Sequence, residues 1–139
     1  MEDFKIYIYL GKSLPEEYKD DMSMIIEDLK SDSKGEIDKT HQGVNFEPNN
    51  EFVIATKNNK VVAFLNLSRS SVMCVISYMA RANPEGKGIP KKLIKYIQDT
   101  NKYPFICAII SSLKSENVKA ILQSCDFIYD KGVYCWKRI

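Results

Sequence analysis

Hydrophobic positions near the start of the chain first follow a strand pattern and then a helix pattern. The segment FKIYIYLG (residues 4–11) alternates β-branched and aromatic residues and predicts a strand. Ser13 follows as a candidate N-cap, with Pro15 in the first turn of a helix. The apolar residues along one face of that helix are Tyr18, Met22, Ile25, Ile26 and Leu29.

The periodic pattern fades over residues 31–50, SDSKGEIDKTHQGVNFEPNN, which are polar and rich in turn-forming residues. A short helix around Ile37 is compatible with this segment. An irregular stretch of this length inside a compact domain is often functional or mobile. We therefore treat it as a long loop that separates the first helix from the rest of the domain.

Three strand patterns follow one another in the middle of the chain. EFVIATKN (residues 51–58) and KVVAFLNLSRS (60–70) meet at Asn58-Asn59, a polar pair suited to a tight hairpin turn. SVMCVISYMA (71–80) is apolar on both faces, which predicts a central position in the sheet. The run as a whole predicts an antiparallel meander.

The last part of the chain alternates helix and strand patterns. A helix from Ile89 to about Asn101 precedes the apolar strand YPFICAIIS (103–111), and a second helix covers KSENVKAILQSCD (114–126). The tail FIYDKGVYCWKRI (127–139) predicts either a hairpin or a strand that is broken at Asp130-Lys131-Gly132. This order predicts a mixed α/β domain, in which the strands before and after the first of these helices form a right-handed parallel crossover.

Length, composition and charge narrow the class of protein. The 139 residues fit one domain over positions 1–139, and 45% hydrophobic with 27% charged residues is an ordinary soluble composition. The net charge of +2 argues against a general nucleic-acid binder, which would gather a basic excess on one face. No apolar run approaches the ~20 residues that cross a bilayer, and MEDFKIYIYLGK lacks the features of a secretory signal. We therefore expect no membrane partner and a cytoplasmic location.

The four cysteines are far apart and lie inside apolar runs, at Cys74, Cys107, Cys125 and Cys135. With one histidine in the chain and no Cys-x-x-Cys pair, a zinc site is not expected. Buried, reduced thiols in a cytosolic protein are the simpler interpretation of these positions. The sequence therefore predicts no metal site.

Two glycines lie between the predicted central strand and the helix that follows it. In NPEGKG (residues 83–88), Gly86 and Gly88 allow positive φ and a close approach of a ligand to the backbone. The helix behind them presents unpaired N–H groups, and Lys87, Lys91 and Lys92 add positive charge. This arrangement suits a phosphate, although a plain strand-to-helix turn is the alternative. The loop lacks the Gly-Lys-Ser/Thr ending of an NTP-binding loop and the third glycine of a dinucleotide site.

The order of elements and the loop together resemble the GNAT superfamily of acyl-CoA N-acyltransferases. The family pattern Gln/Arg-x-x-Gly-x-Gly/Ala is matched by EGKGIP (residues 85–90), which a helix follows. The family's later helix, which begins near an Asn and ends in Gly-Phe, is similar to residues 115–139, with Asp126-Phe127 in the Gly-Phe place. The resemblance covers residues 51–139, and the residues before them match only as a strand, a helix and a variable loop.

The resemblance implies a mixed sheet of about six to seven strands flanked by about four helices, with acetyl-CoA as the co-substrate. The pantetheine arm of acetyl-CoA would run beside Met79, Ala80 and Arg81 at the end of the central strand. Ser115 and Asn117, at the start of the last helix, would face this arm. The residues that would bind the pyrophosphate, chiefly through their backbone amides, are Gly86, Lys87, Gly88, Ile89 and Lys91.

The resemblance also implies the reaction, which is transfer of an acetyl group to a primary amine of a small molecule, peptide or protein by direct attack on the thioester. A backbone N–H near Met79 or Ala80 would stabilise the oxyanion, and a base must take the proton of the amine. The candidate bases are His41, Glu47, Glu51 and Tyr78.

At the position of Leu122 many members carry a tyrosine that protonates the leaving thiolate. The side chains that could replace this tyrosine are Tyr129, Tyr134, Ser112 and Ser115. We predict catalytic roles for Tyr78, Glu51 and Tyr129.

Two residues of the loop depart from the family pattern. Glu85 stands where Gln or Arg is usual, and a carboxylate beside a pyrophosphate is unfavourable. Pro90 stands where Gly or Ala is usual and has no N–H to donate, although proline suits the first turn of a helix. These departures, together with Leu122, leave a second hypothesis open. In that hypothesis the chain is a catalytically degenerate GNAT-fold module that binds acyl-CoA or a protein partner without turnover.

Overall fold

The computed structural model of the chain describes residues 4–32, 46–69, 73–82, 84–100, 104–108 and 116–138. The strands are β1 (Lys5–Leu10), β2 (Glu51–Lys57), β3 (Lys60–Arg69), β4 (Met73–Arg81), β5 (Phe105–Ala108), β6 (Ile128–Asp130) and β7 (Val133–Lys137). The helices are α1 (Glu16–Asp32), α2 (Ile89–Thr100) and α3 (Glu116–Ser124), with a 3-10 turn at Gly11–Ser13. This order of elements is the one that the sequence pattern predicts.

The described ranges hold three α-helices, whereas the resemblance implied about four. The short helix considered around Ile37 lies outside the described residues. α1 begins with Glu16 and Glu17, whose negative charges are favourable at a helix N-terminus. Among the described helices, none is long and apolar enough to cross a membrane.

The seven strands form one sheet in the order β1-β2-β3-β4-β5-β7-β6. Neighbouring strands pair antiparallel, except for β4 and β5, which pair parallel. The predicted meander, the central position of β4 and its parallel pairing across α2 are therefore confirmed. Asn58 and Asn59 both have positive φ (53° and 63°), which is the geometry of a tight hairpin turn between β2 and β3.

The sheet carries a hydrophobic core on each of its two faces. The face under α1, called the α1 face, buries Leu14, Met22, Ile25, Ile26, Phe52, Ile54, Val61, Phe64 and Ala80. The opposite face, called the α2 face because α2 and α3 cover it, buries a set that includes Val53, Leu65, Leu67, Cys74, Ile76, Leu93, Ile106 and Leu122. The central strands are therefore apolar on both sides, because both sides are covered.

A hydrogen bond from β3 holds α1 in place over the sheet. The Asp21 carboxylate accepts it from the backbone N–H of Val61 at 3.1 Å. Met22, Ile25 and Ile26 follow on the same helix and are buried against the sheet. Since a partly buried N–H requires a partner, this bond helps to fix where α1 crosses β3.

A buried amide joins the ends of α2 and α3. Gln98 Nε2 donates to the backbone carbonyl of Cys125 at 2.7 Å. Immediately afterwards Asp126 has φ 69°, and the N–H of Phe127 donates back to the carbonyl of Leu122. This is a left-handed helix cap of the kind that glycine usually provides. Asp126 therefore takes the Gly place of the Gly-Phe pattern at the expense of some backbone strain.

Two thiols face each other across neighbouring strands. Cys107 of β5 pairs with Cys135 of β7, and their Sγ atoms lie 2.8 Å apart. Burial, and after it the hydrogen bond with Cys135, raises the pKa of Cys107 to about 12. Burial also raises the pKa of Cys125. The thiols of Cys107 and Cys125 therefore stay protonated at neutral pH.

We expect the free energy of unfolding to fall as the pH rises above 9. A thiol of the unfolded chain ionises near pH 9, whereas Cys107 keeps its proton to about pH 12 in the folded protein. Between these values the unfolded state binds fewer protons than the folded state, so stability declines by up to about 1.4 kcal/mol per pH unit. Urea denaturation from about pH 7 to about pH 10 measures this slope.

Two cysteine variants test whether Cys107 causes this pH dependence of the free energy of unfolding. Cys107→Ala should reduce the pH dependence, because its raised pKa is lost with the thiol, and the part that comes from Cys125 should remain. Cys135→Ala should keep most of it, because burial is the largest cause of the shift and the cysteine pair is a smaller one. Equal slopes in the wild type and in C107A would contradict the assignment to Cys107.

Candidate functional site

A β-bulge interrupts β4 near its middle. Asn66 of β3 pairs with Tyr78, and the next residue, Leu67, pairs with Ile76, so Ser77 has no counterpart on β3. The Ser77 hydroxyl donates to the backbone carbonyl of Asn66 at 3.2 Å and holds the extra residue in place. Such an insertion bends a strand and redirects the side chains that follow it.

The bulge changes which face of the sheet receives the side chains of β4. Cys74 and Ile76 lie in the α2-face core, whereas Tyr78 and Ala80 pack with the α1-face core. A regular strand would keep these four residues on one face, because they are two positions apart. Met79, between the last two, packs on the α2-face core. Tyr78 is thereby directed toward α1.

β4 continues beyond the point where its pairing with β5 ends. The described pairs end at Ile76 and Ala108, while β4 extends to Arg81. Among the described residues, no strand pairs with the β5 side of residues 77–81. The residues predicted to contact pantetheine on this stretch are Met79, Ala80 and Arg81. Their contacts stay a prediction, and the strand edge leaves room for them.

The loop after β4 uses much of its own hydrogen-bonding capacity. Three of its amides donate within the loop. The pairs are Gly86 N to Ala82 O, Lys87 N to Pro84 O and Ile89 N to Gly86 O, at 3.0, 3.1 and 3.0 Å. Within the described part of the chain, the Gly88 amide has no acceptor. The predicted phosphate contacts of the three bonded amides therefore require these bonds to be shared or replaced.

The two loop glycines are needed for different reasons. A Cβ on Gly86 would lie 2.2 Å from the carbonyl oxygen of Val62 and 2.9 Å from the Cβ of Arg81, so close packing on β3 requires glycine here. Gly88 has φ +81° and open space where a Cβ would lie. Glycine at this second position serves the backbone conformation, and the open space lets a ligand approach the chain.

Positive charge gathers around the loop from three elements. Lys87 in the loop and Lys91 in the first turn of α2 are exposed. Lys57, at the end of β2, donates to the backbone carbonyl of Glu85 at 3.0 Å. No sequence signal links Lys57 with the loop, because the contact depends on the β2–β3 hairpin lying beside the end of β4. Lys92 instead places its Nζ over the Phe4 ring, 5.6 Å from the centroid.

Tyr78 lies at the bulge and faces α1. Its ring stacks on Phe64, with 5.9 Å between centroids and 10° between the planes. Burial raises the pKa of the Tyr78 phenol above its ordinary value. The phenol therefore keeps its proton at neutral pH. In that state it can donate a proton or a hydrogen bond, but it cannot act as a base.

The other two catalytic candidates lie away from Tyr78. Glu51 pairs with Leu67, which belongs to the α2-face core, and its carboxylate contacts the Arg69 guanidinium at 2.8 Å. Because cross-strand partners share a face, Glu51 lies on the opposite face from Tyr78. Tyr129 is 60% exposed on β6, three strands from β4. The structure does not bring the three candidates together, and their catalytic roles stay predictions.

Part of the predicted site lies outside the described residues. His41, Ser112 and Ser115 belong to that part. Asn117 lies in α3, as predicted. Leu122 is fully buried in the α2-face core, so it packs the helix and has no access to a ligand. Within the described ranges, no cluster of three His, Cys, Asp or Glu side chains could hold a metal ion.

No protein-family model matches the chain, and no curated protein sequence gives a significant match. Solved structures do match it over almost its whole length. A protein from Desulfovibrio desulfuricans, described as an acetyltransferase of the GNAT family, has a TM-score of 0.67 at 13% identity, covering 96% of this chain and 98% of its own. YhhK from E. coli, described as an N-acetyl transferase and bound to coenzyme A, has a TM-score of 0.68 at 13% identity, covering 96% and 99%.

A third similar structure is a protein from Lactobacillus plantarum that is described as an N-acetyltransferase. Its TM-score is 0.71 at 9% identity, and the match covers 99% of this chain and 100% of that one. These similarities show that the chain has the GNAT acyl-CoA N-acyltransferase fold, a mixed sheet with helices on both faces. The fold implied by the loop and the order of elements is therefore confirmed.

Replacement of each loop glycine by alanine separates their roles. Gly86→Ala should lower the free energy of unfolding by about 3 kcal/mol, because the methyl group collides with the backbone of Val62. Gly88→Ala should lower it by about 1 kcal/mol, which is the strain of a positive φ without a clash. Urea denaturation of the two variants measures the difference. Equal losses would mean that contact with β3 is not what requires Gly86.

Proposed function

We propose that the protein transfers an acetyl group from acetyl-CoA to a primary amine. The observation that carries the proposal is the run from Ser77 to Lys91 within a GNAT fold, where a bulge, a strand edge and a glycine loop follow one another. An extended thioester arm can pair with a strand edge, and phosphates favour a cationic loop before a helix. In this proposal the strand edge takes the thioester arm, and the loop that follows it takes the phosphates.

The same run suggests which residues would hold acetyl-CoA. The backbone of residues 79–81 would bind the pantetheine arm, and the Gly88 amide would bind the pyrophosphate. Lys57, Lys87 and Lys91 would supply charge-assisted contacts to the phosphates. The open space beside Gly88 supports this fit, because phosphate oxygens need a close approach to the backbone.

The proposed reaction is a direct displacement at the thioester. The neutral amine nitrogen attacks the acetyl carbonyl carbon, a C–N bond forms and the C–S bond breaks. The sulfur leaves as a thiolate whose thiol has an ordinary pKa of about 8.5, and it takes up a proton to balance the one that nitrogen loses. A backbone N–H at Met79 or Ala80 would stabilise the oxyanion by about 3 kcal/mol.

Tyr78 is the described residue best suited to give the sulfur its proton. Its phenol, whose ordinary pKa is 10.0 and which burial raises further, is protonated at neutral pH and so carries a proton to donate. It precedes Met79 on β4, and stacking on Phe64 fixes its ring. In this proposal Tyr78 is the proton donor, and the amine loses its own proton to water.

A binding module without turnover is the second candidate function. The internal hydrogen bonds of the loop amides favour it, and so does Leu122, whose buried side chain occupies the place of the family's tyrosine. Release of free CoA thiol from acetyl-CoA, measured with a panel of primary amines, separates the two functions. Acetyl-CoA binding without thiol release for any amine would support the module.

Binding of acetyl-CoA should depend on the lysines around the loop. The double variant Lys87→Ala/Lys91→Ala should weaken binding by at least about tenfold, because each lysine loses a charge-assisted contact to a phosphate. Lys12→Ala is the matched control, an exposed lysine at the opposite end of the sheet. Calorimetric titration measures all three affinities. No binding of acetyl-CoA or CoA to the wild type would refute the proposed function.

Removal of the Tyr78 hydroxyl should slow acetyl transfer. Tyr78→Phe keeps the ring that stacks on Phe64, so we expect kcat to fall by about 100-fold while acetyl-CoA affinity is unchanged. Tyr96→Phe, in α2, is the matched control and should retain full activity. Thiol release under saturating amine measures kcat. Full activity in Y78F together with a loss in Tyr129→Phe would assign the proton donor to Tyr129.

A further inference from the structure

A buried amide oxygen next to the bulge has no partner. Asn66 is 6% exposed, and its Oδ1 atom accepts no hydrogen bond from any described residue. Gln98, a second buried amide, differs, because it donates to the Cys125 carbonyl at 2.7 Å. Buried acceptors without a donor destabilise a fold and are rare in native proteins. The Asn66 oxygen therefore calls for a donor that comes from outside the described chain.

Asn66 lies beside Tyr78 on the α1 face. The strand register places Tyr9, Phe52, Asn66 and Tyr78 side by side across β1, β2, β3 and β4. Cross-strand partners share a face, and Phe52 belongs to the α1-face core. Asn66 therefore faces α1 together with Tyr78, and the bulge at Ser77 is what brings these two side chains together.

The two cross-strand partners of this asparagine, Phe52 and Tyr78, are both aromatic, and each packs on a further ring. Phe64 stacks on Tyr78, and Phe46 packs on Phe52 with 5.6 Å between centroids. On the bulge side Ser77 is exposed and Tyr78 is half-buried. Aromatic faces attract an ammonium group and pack well on methylene or aromatic groups. The rings themselves carry no negative charge that would pair with a second ammonium group.

We infer that Asn66 Oδ1 accepts a hydrogen bond from the nitrogen of the acceptor, and that this acceptor is a primary amine on an apolar stem. The inference rests on the proposed acetyl transfer and adds to it a substrate class and a binding residue. Asn66 pairs with Tyr78, one residue before Met79, where the thioester is proposed to lie. A nitrogen held by Asn66 therefore approaches the acetyl carbonyl from the α1 face.

The test compares the two buried amides, with phenethylamine as the probe. Asn66→Leu should weaken phenethylamine binding by at least about tenfold and raise Tm, because leucine removes an unpaired buried oxygen. Gln98→Leu is the matched control. It should lower Tm, because the Cys125 carbonyl loses its donor, and leave phenethylamine binding unchanged. Calorimetric titration, with and without CoA, and thermal melting provide the two measurements.

A second variant and a second amine sharpen the result. Asn66→Asp keeps the shape of the side chain and an oxygen that accepts hydrogen bonds. This variant should bind phenethylamine more tightly but have a lower kcat, because a carboxylate stabilises the unreactive ammonium form of the amine. Putrescine, which carries a second ammonium, should bind the wild type more weakly than hexylamine does. Equal or tighter binding of putrescine would overturn the assignment of an apolar stem.

Several outcomes would overturn the role of Asn66. These are unchanged phenethylamine binding in N66L, a fall in Tm like that of Q98L, or failure of both N66L and N66D to fold. Acetyl-CoA binding is measured on the same samples, so the two proposals can fail separately. If N66L loses amine binding and no sample, including the wild type, binds acetyl-CoA, the proposed acetyl transfer is refuted while the amine site at Asn66 stands. Normal acetyl-CoA binding with unchanged amine binding in N66L would refute the amine site alone.

Discussion

The site depends on one extra residue in β4. Ser77 shifts the alternation of the strand, so that Ile76 supports the α2-face core while Tyr78 and Ala80 support the α1-face core. The interruption of the ladder is offset by the bond from the Ser77 hydroxyl to the Asn66 carbonyl and by burial on both faces. In a regular strand Tyr78 would point into the core beneath α2. The pairing of Tyr78 with Asn66, and everything proposed from it, follows from this shift.

Packing against β3 fixes the glycine loop before any ligand binds. The N–H of Ala82 donates to the Val62 carbonyl at 2.7 Å, and Gly86 lies so close to the same carbonyl that no side chain fits between them. Gly88 is thereby presented at a set position beside the N-terminus of α2. A loop that is already held in place loses little conformational entropy when a ligand binds to it. The internal hydrogen bonds of the loop therefore have two effects. They preorganise the loop, and they reduce the number of amides that are free to bind a ligand.

Much of the fold could be predicted from the sequence, because strand and helix periodicities are strong in this chain. The apolar character of both faces of residues 71–80 predicted the central strand, and Asn58-Asn59 predicted the hairpin turn. The face of the sheet on which the Tyr78 side chain lies could not be predicted. A single inserted residue moves this side chain to the other face, and no local pattern marks the insertion. Asn66 did carry a signal, since it is a lone amide inside the apolar run VVAFLNL.

The two departures in the loop bear on the proposed phosphate binding more than on folding. Glu85 is exposed, so its carboxylate can point to solvent, and its backbone carbonyl is engaged by Lys57. Pro90 is buried in the first turn of α2, where a missing N–H costs the helix nothing. The fold therefore tolerates both residues. For a phosphate ligand they remove one amide and add one negative charge, and the lysines have to compensate. The chain thus keeps the architecture of the GNAT fold while the proposed binding of acetyl-CoA shifts from backbone amides toward side-chain charge.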